Sequence, residues 1–207
     1  MYIIGLTGGV GSGKTEAAKI IQELSEAELL LADELGHLVM KKGTECYEKI
    51  TECFGKEILA ADGEIHRGRL SEIVFHAPEK LELLNSIVHP AVLSYMRKYI
   101  EERKGVNGIL ILESAIMFES GCDKLCDEVW FISVPQEVRV KRLMESRGYS
   151  KEKSVSIISR QMKAEEFRGR CQREIVNAGT IGELRDILKQ VLPYDEGSTF
   201  VSRGRLT

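Results

Sequence analysis

At 207 residues and 23.2 kDa the chain suits one domain, or one core with a small insertion, and can bury a core without disulfide or metal staples. Hydrophobic residues at 43% and charged residues at 29% read as soluble and globular; at 6% aromatics, a base-stacking platform for single-stranded nucleic acid is not expected. The 29 Lys+Arg against 32 Asp+Glu leave a net charge of −3, opposite in sign to that of a dedicated nucleic-acid binder.

Tyr2-Ile3-Ile4-Gly5-Leu6, apolar and β-branched, reads as a first strand. It runs into the glycine cluster Thr7-Gly8-Gly9-Val10-Gly11-Ser12-Gly13. Lys14 to Leu24 then carries apolar residues at helical spacing: Ala17, Ala18, Ile20, Ile21 and Leu24. Glu28 to Ala32 reads as a second strand, ending at Asp33. Residues 33–104 show helical patterns and almost no strand signal, with breaks at Phe54-Gly55 and Asp62-Gly63. That stretch is too long for a plain crossover and reads as a helical insertion. Ile109 to Leu112 is apolar on both faces, as a central parallel strand is, and Val129 to Val134 is a similar run stopped by Pro135. Residues 136–170 form a second helical stretch, broken at Gly148. Glu174-Ile175-Val176 is a weak last strand and Ile181 to Leu192 a closing helix. The polar tail 195–207 is expected to be loosely held. Strands alternating with helices imply an α/β fold with a parallel sheet of about five strands. There is no internal repeat and no low-complexity segment.

The longest apolar runs span a few residues, against the roughly 20 of a membrane-spanning helix. No charged segment precedes an apolar stretch at the start, so no secretory signal is expected. The five cysteines (Cys46, Cys53, Cys122, Cys126 and Cys171) are an odd, scattered set, which points to reduced thiols in a cytoplasmic compartment. Cys122 and Cys126 are not a CxxC pair and no second pair follows, a weak basis for zinc.

Gly8-x-x-x-x-Gly13-Lys14-Thr15 fits GxxxxGK[ST] and lies between a strand and a helix, the context that makes the match credible. Glycines let backbone N–H groups turn inward around a polyphosphate, and the helix N-terminus favours an anion. Gly9, Gly11, Ser12, Gly13, Lys14, Thr15 and Glu16 are therefore the expected ATP-binding residues. Lys14 is placed to reach the β and γ phosphates and the Thr15 hydroxyl to ligate Mg²⁺. The alternative is a glycine turn that merely joins strand to helix. The fold expected is a P-loop NTPase-type three-layer core made of residues 1–32, 105–135 and 171–194.

No Asn-Lys-x-Asp segment for reading guanine is present, and a motor or helicase is usually longer. The length suits a small-molecule kinase, which needs an acid near the acceptor hydroxyl, arginines for the transferring phosphoryl group and a cover against water. Asp33, at the carboxyl end of a strand, would face the ligand crevice and orient or deprotonate a hydroxyl; it would equally serve as a helix N-cap. Residues 139–173 hold eleven Lys+Arg and four Asp+Glu, a local +7 that reads as a phosphate-facing lid over 136–170, or as a solvated helical face. Within it Arg142 is the residue favoured for function. Glu113 ends its strand where a Walker-B acid lies; a magnesium-water contact and a packing role are both open.

This series resembles the dephospho-CoA kinase family over nearly the whole chain, to about Pro193. Ile4 to Lys14 is similar to the family's opening, and Ala32-Asp33 with His37 to its Asp-Ala-Asp-x-x-x-His segment. Phe54-Gly55, Asp62-Gly63, Arg67, Leu70 and Val74-Phe75 look like its FG…DG…R..L...VF stretch. Leu84, Ile87 and His89-Pro90 match L..I.HP, and Phe118-Glu119 the end of PLLFE. Arg142, Gln161 and Asn177 fall at the lid arginine, a glutamine and a late asparagine. The sequence departs from the family at Thr15-Glu16, at Leu31, at Ala115-Ile116-Met117 and at Cys171-Gln172. The resemblance implies transfer of a phosphoryl group from ATP to the ribose 3′-hydroxyl of dephospho-CoA, the last step of coenzyme A synthesis. Asp33 would be base or orienting carboxylate, Lys14 and Arg142 would stabilise the transferring group, and Thr15 would hold Mg²⁺. Insertion 33–104 would cradle the pantetheine end.

The substrate side carries open alternatives. His89 would bond substrate, or pack where Pro90 starts a helix. His37 would touch substrate or orient Asp33 from one helical turn away. Arg67 would meet a substrate phosphate or pair with Asp62, and Glu119 is carried as a further substrate contact. Neither nucleic acid nor membrane is expected as a partner, and no obligate protein partner is evident. A kinase of another small hydroxyl compound (a nucleoside or a shikimate-like alcohol) is the second reading, and a non-catalytic nucleotide-binding protein the third.

Overall fold

Five short runs of buried apolar residues form the sheet of a computed structural model that describes residues 1–192. They are β1 (Tyr2–Thr7), β2 (Glu28–Leu31), β3 (Ile109–Glu113), β4 (Glu128–Ser133) and β5 (Arg173–Val176). Their order is β2-β3-β1-β4-β5, with β1 parallel to β3 and β4, and β4 parallel to β5. β1 and β3 sit inside the sheet, so both their faces are covered and both read as nearly unbroken apolar sequence. The tail 195–207 lies outside the described residues.

One face of the sheet is set by residues two apart. Ile4, Leu6, Ile111, Trp130, Ile132 and Ile175 pack against helix α1 (Lys14–Ser25) and the closing helix at Ile181–Val191. The opposite face presents Phe131, which stacks on Phe167 of the helix at Ala164–Arg170 with ring centroids 4.7 Å apart. Helices thus cover both faces of a five-stranded sheet, the α/β architecture expected.

The chain divides into two units: Met1–Leu30 with the described residues from Lys104 on, and Leu31–Arg103. The second is all helix apart from one antiparallel bridge, Leu59 to Ile65. It holds α2 (Ala32–Val39), α3 (Glu45–Phe54), α4 (Arg67–Phe75) and the 24-residue α5 (Pro78–Glu101). Leu35, Val39, Ile50, Leu70, Val92 and Met96 are buried within it, where α2, α3 and α4 each lie against α5. The Phe54-Gly55 break is real: Gly55 ends α3 with φ +81°. The Asp62-Gly63 break is the turn between the two bridged residues.

Two expectations change here. Pro78, not Pro90, is the first residue of a helix, and Pro90 stands inside α5. A proline there removes one backbone hydrogen bond, but the apolar spacing on either side continues and carries the helix through. β2 stops at Leu31, so Ala32 and Asp33 are helical rather than the end of a strand.

In the sheet unit, α6 (Gln136–Arg147), α7 (Lys151–Ser159) and α8 (Ala164–Arg170) follow β4, and α9 (Ile181–Val191) closes the described chain. Gly148 ends α6 in the left-handed region, at the break expected. All five cysteines are free. Among the described residues no three or more His, Cys, Asp or Glu gather as a metal cluster, and no helix is long and apolar enough to cross a membrane.

Candidate active site

The loop between β1 and α1 is shaped by what presses on it. Gly13 stands at the N-cap of α1 with φ +83°, and a Cβ there would collide with the Asn177 carboxamide. A Cβ on Gly9 would run into the Arg139 guanidinium. Ser12 N–H donates to the Gly9 carbonyl at 3.1 Å, closing the turn. The Lys14 ammonium, on a side chain only 9% exposed, reaches back to the same carbonyl at 3.4 Å. The Ser12 hydroxyl is buried without a hydrogen-bond partner, a polar atom that an anion in the loop would satisfy. Thr15 and Glu16 are exposed in the first turn of α1.

Glu113, the last residue of β3, accepts a hydrogen bond from the Thr15 hydroxyl at 3.0 Å. The pairing of β1 with β3 puts Glu113 across from Leu6, one residue before the strand runs into the loop. A hydroxyl and a carboxylate held together are hard oxygen donors of the kind Mg²⁺ prefers, directly or through water. The residues present therefore fit both a polyphosphate and a magnesium ion.

Four more side chains converge on the loop, Arg142, Asn177, Arg139 and Gln161, and of these the sequence favoured only Arg142 for function. Arg142, on α6, donates to the Asn177 carbonyl at 3.0 Å, and its Nη1 lies beside Gly13. Asn177, just past β5, donates from Nδ2 to the Ser12 carbonyl at 2.8 Å, while its own N–H bonds Ser133 at the end of β4. It thus ties the loop to two strands and to Arg142. Arg139 donates from Nε to the Val10 carbonyl at 2.9 Å and from Nη2 to Gln161 Oε1 at 2.5 Å. Burial pushes its guanidinium pKa below the usual arginine value. The signal for Arg139 was its spacing: three residues before Arg142, it shares that face of the helix. A cavity of about 640 Å³ adjoins the loop, lined by Gly9, Ser12, Ser133, Arg139, Gln161 and Lys163 among others. That volume falls within the range of small-molecule sites.

Gln172, whose role sequence left open, is structural. Its Oε1 accepts from Val129 N–H at 2.7 Å and its N–H donates to the Val129 carbonyl, which joins β4 to β5 at their start.

Of the proposed acceptor-side residues, Asp33, His37, Arg67 and His89 belong to the helical unit. Asp33 is the second residue of α2, and Leu31 holds the N-cap position, so the capping reading fails. A carboxylate in a first helical turn is still favoured by the helix dipole. Leu35 and Val39 take the buried face of α2, leaving Asp33 and His37, one turn apart, exposed on the same side. Arg67 is the first residue of α4 and exposed. Its alternative partner Asp62 instead accepts from Glu64 N–H at 3.0 Å. His89 is half-buried inside α5. Glu119 lies in the sheet unit, exposed beside Phe118, over which the Arg170 guanidinium sits at 4.0 Å.

Comparison with known proteins decides the family. A family model described as dephospho-CoA kinase matches residues 2–183. The chain belongs to the dephospho-CoA kinase family. Among curated relatives, a dephospho-CoA kinase of Carboxydothermus hydrogenoformans is 40% identical over 192 residues, covering 92% of each chain. Among solved structures, a Thermus thermophilus protein superposes with TM-score 0.77 at 29% identity, over 92% of this chain and 96% of that one. A dephospho-CoA kinase from Campylobacter jejuni superposes with TM-score 0.70 at 25% identity, over 91% and 94%.

Proposed function

We propose that this member of the dephospho-CoA kinase family transfers the γ-phosphoryl group of ATP to the ribose 3′-hydroxyl of dephospho-CoA, giving coenzyme A and ADP in the cytoplasm. The observation that carries the donor half is the loop at residues 8–15, with Lys14 folded back on Gly9, a partnerless Ser12 hydroxyl and Arg142 held beside Gly13. The acceptor is supported by family membership and by a helical unit of about 70 residues, more than a compact acceptor requires.

In this reading the loop N–H groups and Lys14 take the β and γ phosphates. Arg142, anchored on Asn177, faces the transferring group. Asp33 receives the acceptor proton or orients the hydroxyl. His37, Arg67, His89 and Glu119 contact dephospho-CoA, and α6 to α8 act as a lid that excludes water. Thr15 and Glu113 would hold Mg²⁺. Bound there, it neutralises phosphate charge in the transition state.

The deciding experiment measures ADP release from purified protein with ATP and Mg²⁺, with and without dephospho-CoA, and weighs the product. Stimulated release with a product one phosphate heavier is expected. ATP binding with no response to dephospho-CoA, followed by turnover of a nucleoside or small alcohol, would replace the acceptor. Replacing Thr15 by valine is expected to raise the Mg²⁺ concentration for half-maximal activity about tenfold or more, because one oxygen ligand is lost. An unchanged Mg²⁺ titration would remove Thr15 from the metal site.

A further inference from the structure

Arg139, Gln161 and both peptide groups of Val10 form a closed ring of hydrogen bonds. Val10 N–H donates to Gln161 Oε1 at 3.0 Å. Arg139 Nη2 donates to the same oxygen at 2.5 Å, and Arg139 Nε donates to the Val10 carbonyl at 2.9 Å. The ring fixes the orientation of Gln161, since a flipped carboxamide would point its NH₂ at two donors. It also ties three places together: α6, the joint between α7 and α8, and the tip of the phosphate loop. We propose that Arg139 is a positioning residue for ATP. With Gln161 it sets the pitch of the two peptide planes around Val10, and so the shape the loop presents to the phosphates.

Three observations point the same way. The guanidinium lies so close to Gly9 that a Cβ there would displace it, and the Arg139 carbonyl stands 3.2 Å from where a Cβ on Gly11 would sit. Arg139 thus flanks the loop on both sides of Val10. The Gly9 carbonyl, which shares its peptide unit with the Val10 N–H of the ring, is the one Lys14 reaches, so a tilt of that plane moves the anchor of the phosphate-binding ammonium. Finally, the planar fork spans two acceptors at once, which a lysine does not do. A surface ion pair would have none of these features.

The proposal rests on reading residues 8–15 as the ATP site. The test uses the full chain: Arg139→Met, Gln161→Leu and the double variant, with binding of a non-hydrolysable ATP analogue by calorimetry, KM for both substrates and kcat. Each single change is expected to weaken analogue binding about tenfold or more, as a charge-assisted bond is lost, and to leave KM for dephospho-CoA within about twofold. The double variant should be no worse than the weaker single, because either change opens the same ring. Arg139→Lys should behave like Arg139→Met. Gln161→Glu, which keeps an acceptor for both donors, should restore binding, and it remains informative should a truncating variant not fold. Additive losses, equal losses for both substrates, or unchanged analogue binding would overturn the proposal. If Lys14→Met also leaves analogue binding intact, the ATP-site reading itself has failed; if only the Arg139 variants do, the inference alone has.

Discussion

Lys14→Met lowers phosphoryl transfer by about 10²- to 10³-fold, the size of loss seen when one preorganised charge donor is removed from a transition state. The ammonium sits on a nearly buried side chain and donates to the Gly9 carbonyl at 3.4 Å, inside the loop proposed to hold the phosphates. Methionine preserves the aliphatic volume and keeps α1 intact, so a thermal melt close to wild type is expected alongside the loss. Activity near wild type would show that residues 8–15 do not hold the phosphates during transfer. A collapsed melt would shift the measurement to Lys14→Gln, with the same expectation for turnover.

Asp33→Asn lowers kcat by about 10²- to 10⁴-fold, the range for loss of a positioned general base, and leaves ATP affinity within about twofold. The position of Asp33 makes this clean. It is exposed in the first turn of α2, where its structural value is limited to a helix-dipole contribution of about 0.3–1 kcal/mol. A hundredfold loss of turnover is equivalent to about 2.7 kcal/mol, which that contribution does not supply. Initial rates at saturating ATP and analogue binding check it. Equal losses in turnover and ATP affinity would take Asp33 out of the acceptor site.

The loop and the sheet were legible because both are local. Gly8 to Thr15 carries its chemistry in consecutive residues, and a strand buried on both faces announces itself as an unbroken apolar run, as Ile109 to Leu112 does. The helical insertion was legible for the same reason, through the 3.6-residue spacing of residues such as Leu35 and Val39. Errors fell at boundaries. Leu29-Leu30-Leu31-Ala32 is apolar throughout, and nothing in it says where strand gives way to helix. Pro90 looked like a helix start because proline is common at that position, yet α5 has enough apolar contact on both sides to run through it.

By itself the sequence determined that a strand, a glycine loop and a helix form one phosphate-binding unit inside a parallel α/β sheet, since backbone freedom at glycine and burial of apolar runs are properties of short segments. Only the tertiary structure decided which distant residues complete it. Glu113 meets Thr15 across 98 positions, Asn177 meets Ser12 across 165, and Gln161 meets Val10 across 151. Those pairs are set by parallel strand order and by the return of α6 and α7 over the loop. Sheet order and helix return depend on the burial of the whole core, which no short stretch of sequence encodes.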